Sequence, residues 1–187
     1  MKKIILLLAF LCLISFKLFA QISTGGGRQS FSSPSGFSIG VDPGLLTGNA
    51  SDFYKFAIGG DLKYSYPVND NISISLSAGY TELIGKSFTD AETDGDVTFT
   101  ASATVTNASA IPVKIGVRYC LNGTTGFFGE AQFGAAFLNQ GGGTSFAYAP
   151  AIGYVFDGGF EAGVRYEGWA KNGGTLSQVG LRLAYSF

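Results

Sequence analysis

The sequence predicts an all-β chain: an eight-stranded, antiparallel, up-and-down transmembrane β-barrel. Three observations carry that expectation. Large apolar residues alternate with small or polar ones, at period two, over eight segments. The connections between these segments are short and long by turns, and the short ones are rich in turn formers. Only 13% of the 187 residues are charged, while 14% are aromatic, too few charges for a chain that coats itself with water-facing surface. The 28 glycines argue further against a helical bundle, because glycine destabilises helix interiors.

Residues 1–20 read as a secretory signal peptide. Lys2 and Lys3 start it, an almost wholly apolar run follows from Ile4 to Phe16, and Ala20 is small enough for a cleavage site. The run is short of the ~20 residues that a spanning helix needs. Residues 21–33 form a flexible N-terminal segment and residues 34–187 the barrel domain. Cleavage would remove Lys2, Lys3, Lys17 and Cys12, leaving nine basic residues against thirteen acidic ones. Cys120 then remains as the one thiol, so the exported chain has no intramolecular disulfide and relies on backbone pairing and burial.

The first strand is a weak copy of the pattern, Phe37–Val41. In the second, Tyr54, Phe56, Ile58, Leu62, Tyr64 and Tyr66 oppose Lys55, Ala57, Gly59, Asp61, Lys63 and Ser65. The third sets Ile72, Ile74, Leu76, Ala78 and Tyr80 against Ser73, Ser75, Ser77, Gly79 and Thr81. The fourth sets Ile111, Val113, Ile115, Val117 and Tyr119 against Pro112, Lys114, Gly116, Arg118 and Cys120. Weaker copies follow at Phe127–Phe137 and Tyr148–Phe156, with Pro150 marking a bulge or the outer rim. The seventh has Phe160, Ala162, Val164 and Tyr166 opposite Glu161, Gly163, Arg165 and Glu167. The last has Val179, Leu181, Leu183, Tyr185 and Phe187 opposite Gln178, Gly180, Arg182, Ala184 and Ser186.

Short turns are expected at Pro67–Asn71, Leu121–Gly126 and Asp157–Gly159. Longer connections are expected at Pro43–Asp52, Gly85–Ala110, Asn139–Ser145 and Glu167–Gly174. In a meander every second connection lies at the same end, so one rim is tight and the other carries the loops. Val97–Asn107 also alternates. An even strand number excludes it from the wall, so it reads as part of a hairpin above the membrane.

Alternation does not by itself say which face is inside. A soluble lipocalin-like barrel would put the apolar face inward. Here the other face is mostly Gly, Ala, Ser and Thr with scattered charges, which suits a cramped interior. That choice points Lys55, Lys63, Lys114, Arg118, Arg165 and Arg182 inward, together with Asp61, Glu130, Glu161 and Glu167. Buried charges of both signs in similar number are expected to pair across the lumen as a structural network. A conducting path would favour one sign.

Other motifs carry less. Asp90, Glu92, Asp94, Gly95 and Asp96 resemble the start of a calcium loop. The twelfth position is Ala101 where a bidentate Glu is required, so no metal site is assigned. Gly79–Ser87 misses the phosphate-loop spacing by one residue and lies on a strand. The chain has no His, which removes the commonest general base, and its net charge of -1 gives no basic footprint for nucleic acid. No catalytic residue and no cofactor are assigned. Phe88, Phe99, Phe146 and Trp169 are candidates for aromatic contacts from the external loops.

The C-terminal Gly180-Leu-Arg-Leu-Ala-Tyr-Ser-Phe187 resembles the closing strand of outer-membrane β-barrel proteins. In those families a terminal aromatic, preceded by apolar residues at every second place, is the signal read by the barrel assembly machinery. Here Val179, Leu181, Leu183, Tyr185 and Phe187 match it. Over residues 34–187 the chain is similar to the small outer-membrane barrel domains of OmpA/OmpX and opacity-protein type. Ile111-Pro-Val-Lys-Ile-Gly-Val-Arg-Tyr119 and Gly163-Val-Arg-Tyr166 resemble their inner strands. The resemblance implies a Gram-negative outer membrane location, insertion by the assembly machinery and a monomeric barrel. Contacts with outer-membrane lipid and lipopolysaccharide follow. The expected role is structural or interactive, through the external loops, with the lumen plugged by side chains. A narrow channel for small solutes is the alternative, and a soluble lipocalin-like binder a distant third.

Overall fold

Eight strands gather their small and charged faces around one axis and turn their large apolar faces outward. The computed structural model describes residues 36–94, 97–123, 125–139 and 142–187, and the side chains of 89–101 are outside that description. The expected signal peptide, the segment 21–33 and the Gly95–Asp96 end of the acidic stretch also lie outside the described residues.

In chain order the elements are β1 (Gly36–Thr47), α1 (Ala50–Phe53), β2 (Tyr54–Pro67), β3 (Ile72–Gly85), β4 (Ser87–Asp94) and β5 (Val97–Thr104). There follow β6 (Ala108–Asn122), β7 (Thr125–Leu138), β8 (Gly143–Val155), β9 (Phe160–Lys171) and β10 (Gly174–Ser186). Eight of the strands close a barrel in the order β1-β10-β9-β8-β7-β6-β3-β2, every neighbouring pair antiparallel. β4 and β5 form a separate two-stranded sheet, so Val97–Thr104 belongs to a hairpin outside the wall, as the even strand count requires.

The register fixes the width of the lumen. Cross-strand pairs lead from Phe37 through Tyr64, Leu76, Ile115, Phe133, Tyr148, Gly168 and Ser177 back to β1 at Thr47. The path returns ten residues beyond its start. A barrel of eight strands leaves an interior that side chains can just fill.

The exterior is an apolar band. Val41, Leu76, Val117, Ile152 and Leu181 are among its most exposed side chains, each half or more accessible. Aromatic pairs ring the end with the tight turns: Phe37 with Tyr64 at 5.0 Å, Phe127 with Tyr154 at 5.1 Å and Phe156 with Phe160 at 5.8 Å. In water such a surface would be an aggregation site, whereas against lipid it is the stable arrangement. The soluble lipocalin-like alternative needs the opposite polarity and is overturned.

Several expected loops are strand. β1 runs through Pro43 to Thr47, β9 reaches Lys171, and β10 starts at Gly174. Glu167–Gly174, expected as a long loop, reduces to the two-residue turn Asn172-Gly173, with φ of 49° and 81°. The reason is a change of lumen chemistry towards this end. The inward positions become apolar there, so the polar-in signature fades while the strands continue. The β4–β5 hairpin is the one long excursion among the described residues.

Pro43, Pro112 and Pro150 stand inside strands, and each interrupts one ladder because it has no N–H to give. β1 pairs with β10 at Val41↔Leu183 and resumes at Gly44↔Gly180. The β3–β6 ladder skips Pro112 between Ala78↔Val113 and Thr81↔Ala110. The β8–β9 ladder skips Pro150 between Tyr148↔Gly168 and Ala151↔Arg165. The register is the same on both sides of each gap, so Pro150 marks neither a bulge nor the rim.

Candidate functional site in the lumen

The inward faces of the eight strands bring together ten charged side chains. Lys63, Lys114, Arg118, Arg165 and Arg182 meet Asp42, Asp61, Glu130, Glu161 and Glu167, five cations against five carboxylates. Apart from Asp42, which is partly buried, all of them are at least nine-tenths buried. Room for them comes from small cross-strand neighbours. Asp42 stands opposite Gly59, Asp61 opposite Gly79, Lys114 opposite Gly134 and Arg165 opposite Gly180.

Nearest the turn end, Arg118 holds two carboxylates in its planar fork. Its Nη2 lies 2.7 Å from Glu130 Oε2 and its Nη1 2.7 Å from Glu161 Oε2. Lys63 Nζ adds 3.1 Å to Glu130 and 3.7 Å to Glu161. Ser75 Oγ and Gln132 Nε2 donate to the other oxygen of Glu130, at 2.9 and 3.1 Å. This matters energetically, because a buried carboxylate is tolerable only when its lone pairs are met.

Arg182 links this cluster to the next. Its Nε donates to Glu161 Oε1 at 3.1 Å, while Nη1 and Nη2 donate to the two oxygens of Asp61 at 2.7 and 2.9 Å. Arg165 Nη1 lies 3.1 Å from Asp42 and 3.4 Å from Asp61. Above them Lys114 Nζ is 2.7 Å from Glu167, whose other oxygen accepts the indole N–H of Trp169 at 2.9 Å.

Apolar tiers border the network at both ends. Towards the loops lie Leu46, Ala50, Ala57, Leu83, Ala110, Ala136, Ala147 and Trp169. Towards the turns lie Cys120, Phe128 and Val155, with the Arg118 guanidinium 4.0 Å above the Phe128 ring.

Nine of the ten expected lumen charges stand where the alternation puts them: Asp61, Lys63, Lys114, Arg118, Glu130, Glu161, Arg165, Glu167 and Arg182. Lys55 does not. The β2–β3 register shifts between Tyr54 and Phe56, so Lys55 is the extra residue of a bulge and is exposed at the loop rim. One further member, Asp42, completes the network. The sequence pattern misses it because Pro43 reads as the start of a loop. Trp169, expected in an external loop, is 3% exposed inside the barrel. Phe146 is exposed on the barrel exterior beside Tyr148, Phe88 is exposed on the hairpin, and the Phe99 side chain lies outside the described residues. Val179, Leu181, Leu183 and Tyr185 face outward along β10, and Phe187 is exposed.

Outside the lumen, the cations among the described residues are Lys55, Lys86 and Lys171, all at the loop end. Lys86 donates its backbone N–H to Phe53 O at 2.8 Å, and Lys171 Nζ donates to the Gly142 carbonyl. The turn end carries exposed Asp70 and Asp157.

Solved structures share this architecture. A de novo designed transmembrane β-barrel superposes with a TM-score of 0.50 at 14% identity, covering 83% of this chain and 98% of its own. The Yersinia pestis outer membrane protein Ail, in a phospholipid bilayer nanodisc, gives 0.51 at 17% identity, covering 82% and 99%. The fold is that of a transmembrane β-barrel. No family model matches the sequence, and no curated protein does.

Proposed function

We propose that this is an outer-membrane barrel, exported with a cleaved signal peptide, that acts at the cell surface through its external side. The β4–β5 hairpin is the interacting element and the lumen is closed by its own side chains. The observation that carries this reading is the balanced ionic network lying between two apolar tiers. A charge pattern of both signs, engaged with itself, offers no selective path for an ion. We assign no catalysis and no cofactor.

The partners follow from surface chemistry. Outer-membrane lipid covers the apolar band. Lys55, Lys86 and Lys171 supply charge to the phosphates of lipopolysaccharide, with exposed Phe53 and Phe56 beside Lys55 at the acyl boundary. The outward row Val179, Leu181, Leu183, Tyr185 and Phe187 presents itself to the barrel assembly machinery. A closed wall has no free strand edge, which supports a monomer.

Recording currents across a planar bilayer containing the refolded, heat-modifiable protein tests the closed lumen. Electrical silence is expected, and discrete, reproducible conductance steps would overturn it. The second reading, a narrow channel for small solutes, draws on the cavity beside Asp42, Asp61, Lys114 and Glu167. It requires neutralisation of Arg118 or Arg182 to change ion selectivity, whereas the closed lumen requires a loss of stability.

A further inference from the structure

One cation of the lumen is only partly used. Arg165 is 4% exposed, and all its ion pairs run through Nη1, to Asp42, Asp61 and, at 3.9 Å, Glu167. Its Nε and Nη2 have no hydrogen-bond partner among the described residues. Those two nitrogens form the two-pronged edge of a guanidinium, the edge whose parallel N–H groups grip a single acceptor. Buried donors of this kind are costly to leave without an acceptor.

Arg165 also lines a small cavity, whose wall includes Asp42, Asp61, Ser77, Thr81 and Glu167. Its size and chemistry select the occupant. It offers about 10 Å³ to the centre of a water molecule, enough for about one water and too little for a phosphate or carboxylate group. Three carboxylates on the wall disfavour an anion, and Arg165 together with Lys114 disfavours a cation. What fits is a small neutral group that accepts two hydrogen bonds from the fork and donates two to the oxygens around it.

We infer that a single bound water is a fixed part of this barrel, accepting from Arg165 Nε and Nη2 and donating to the carboxylate or hydroxyl oxygens of the cavity wall. It completes the hydrogen bonding of Arg165, which no acceptor among the described residues does.

The test uses the wild-type barrel refolded in detergent. A crystal structure sharp enough to resolve waters should show one within ~3.2 Å of both Nε and Nη2. In ¹⁵N-labelled protein the Arg165 Nε–H should show a cross-peak to water. A protein oxygen bonded directly to the fork, or an ion in its place, would overturn the assignment. Arg165→Lys keeps a positive charge near Asp42 and Asp61 but has no fork. The water density should then be lost while the heat-dependent gel shift persists. Water held unchanged in that variant would show that the carboxylates, and not the fork, bind it. If the variant does not assemble, the wild-type density and spectrum decide alone.

Discussion

The ring of Phe128 lies where a side chain at Gly153 would have to go. A Cβ on Gly153 would come within 2.7 Å of two ring carbons, and the two residues are paired across β7 and β8 with both facing the lumen. Gly153 is thus the space into which the turn-end tier closes. Gly153→Val should expel the ring and lower the unfolding free energy, read from urea unfolding, by the ~1–3 kcal/mol of an overpacked core. Phe128→Ala should cost a comparable amount alone but less in the Gly153→Val background. Additive losses would show that the two side chains do not compete for one volume.

Removing the shared cation of the network should be severe. Arg182→Met leaves Asp61 and Glu161 each short of a charged partner inside the barrel. A loss of about 3–5 kcal/mol is expected, read as a lower temperature for the heat-induced gel shift. Lys55→Met, at the exposed bulge, is the control and should stay within about 0.5 kcal/mol of wild type. Equal effects would contradict the placement of one inside and the other outside.

Lys114 and Glu167 should behave as a coupled pair, since their charged atoms are 2.7 Å apart at 3% and 4% exposure. Lys114→Met alone should destabilise markedly, because Glu167 keeps its charge. Adding Glu167→Gln removes that charge while leaving an oxygen for the Trp169 indole, and should recover most of the loss. A double-mutant cycle in urea measures the coupling.

The hairpin should be separable from the wall. β4 and β5 pair only with each other, and the β3–β6 ladder closes beneath them. Replacing residues 87–104 with a short Gly-Ser turn should leave membrane insertion and heat-modifiability intact while changing binding to surfaces or partners. Failure to insert would assign the hairpin a folding role instead.

Deleting Phe187 should lower the yield of assembled barrel in cells, with refolding in detergent little affected. Normal cellular yield would remove the case for β10 as an assembly signal.

Strand count, wall order and the polarity of the barrel were legible in the sequence, because period-two alternation and turn spacing are local properties. For that reason the pattern of β10 is legible from Gln178 to Ser186, while its first residues, Gly174–Ser177, read as loop. The failures have local causes too. Asp42 was lost because Pro43 looks like a strand end, yet only one of its two ladders needs the missing N–H. Lys55 was misplaced because a bulge inverts the alternation without changing the residue pattern. Trp169 was assigned outward because an aromatic near a turn looks like a loop residue, although it lies two positions beyond Glu167 on the same inward face. Partner choice in the lumen, such as Arg118 with both Glu130 and Glu161, depends on a stagger of ten residues that no single strand encodes.

The gap at Pro43 falls on the join between the first and last strands of the barrel. A zipper with a missing tooth closes as two short runs, here Ser38–Val41 and Gly44–Thr47 with their partners on β10. Across that missing tooth Asp42 and Arg182 face each other inside, 3.3 Å apart, as a latch. The final weld of the cylinder is therefore divisible, so either run can part while the other holds. Under sideways tension in a membrane, the wall would begin to peel at such a divided seam, here or at the ladders that Pro112 and Pro150 interrupt in the same way.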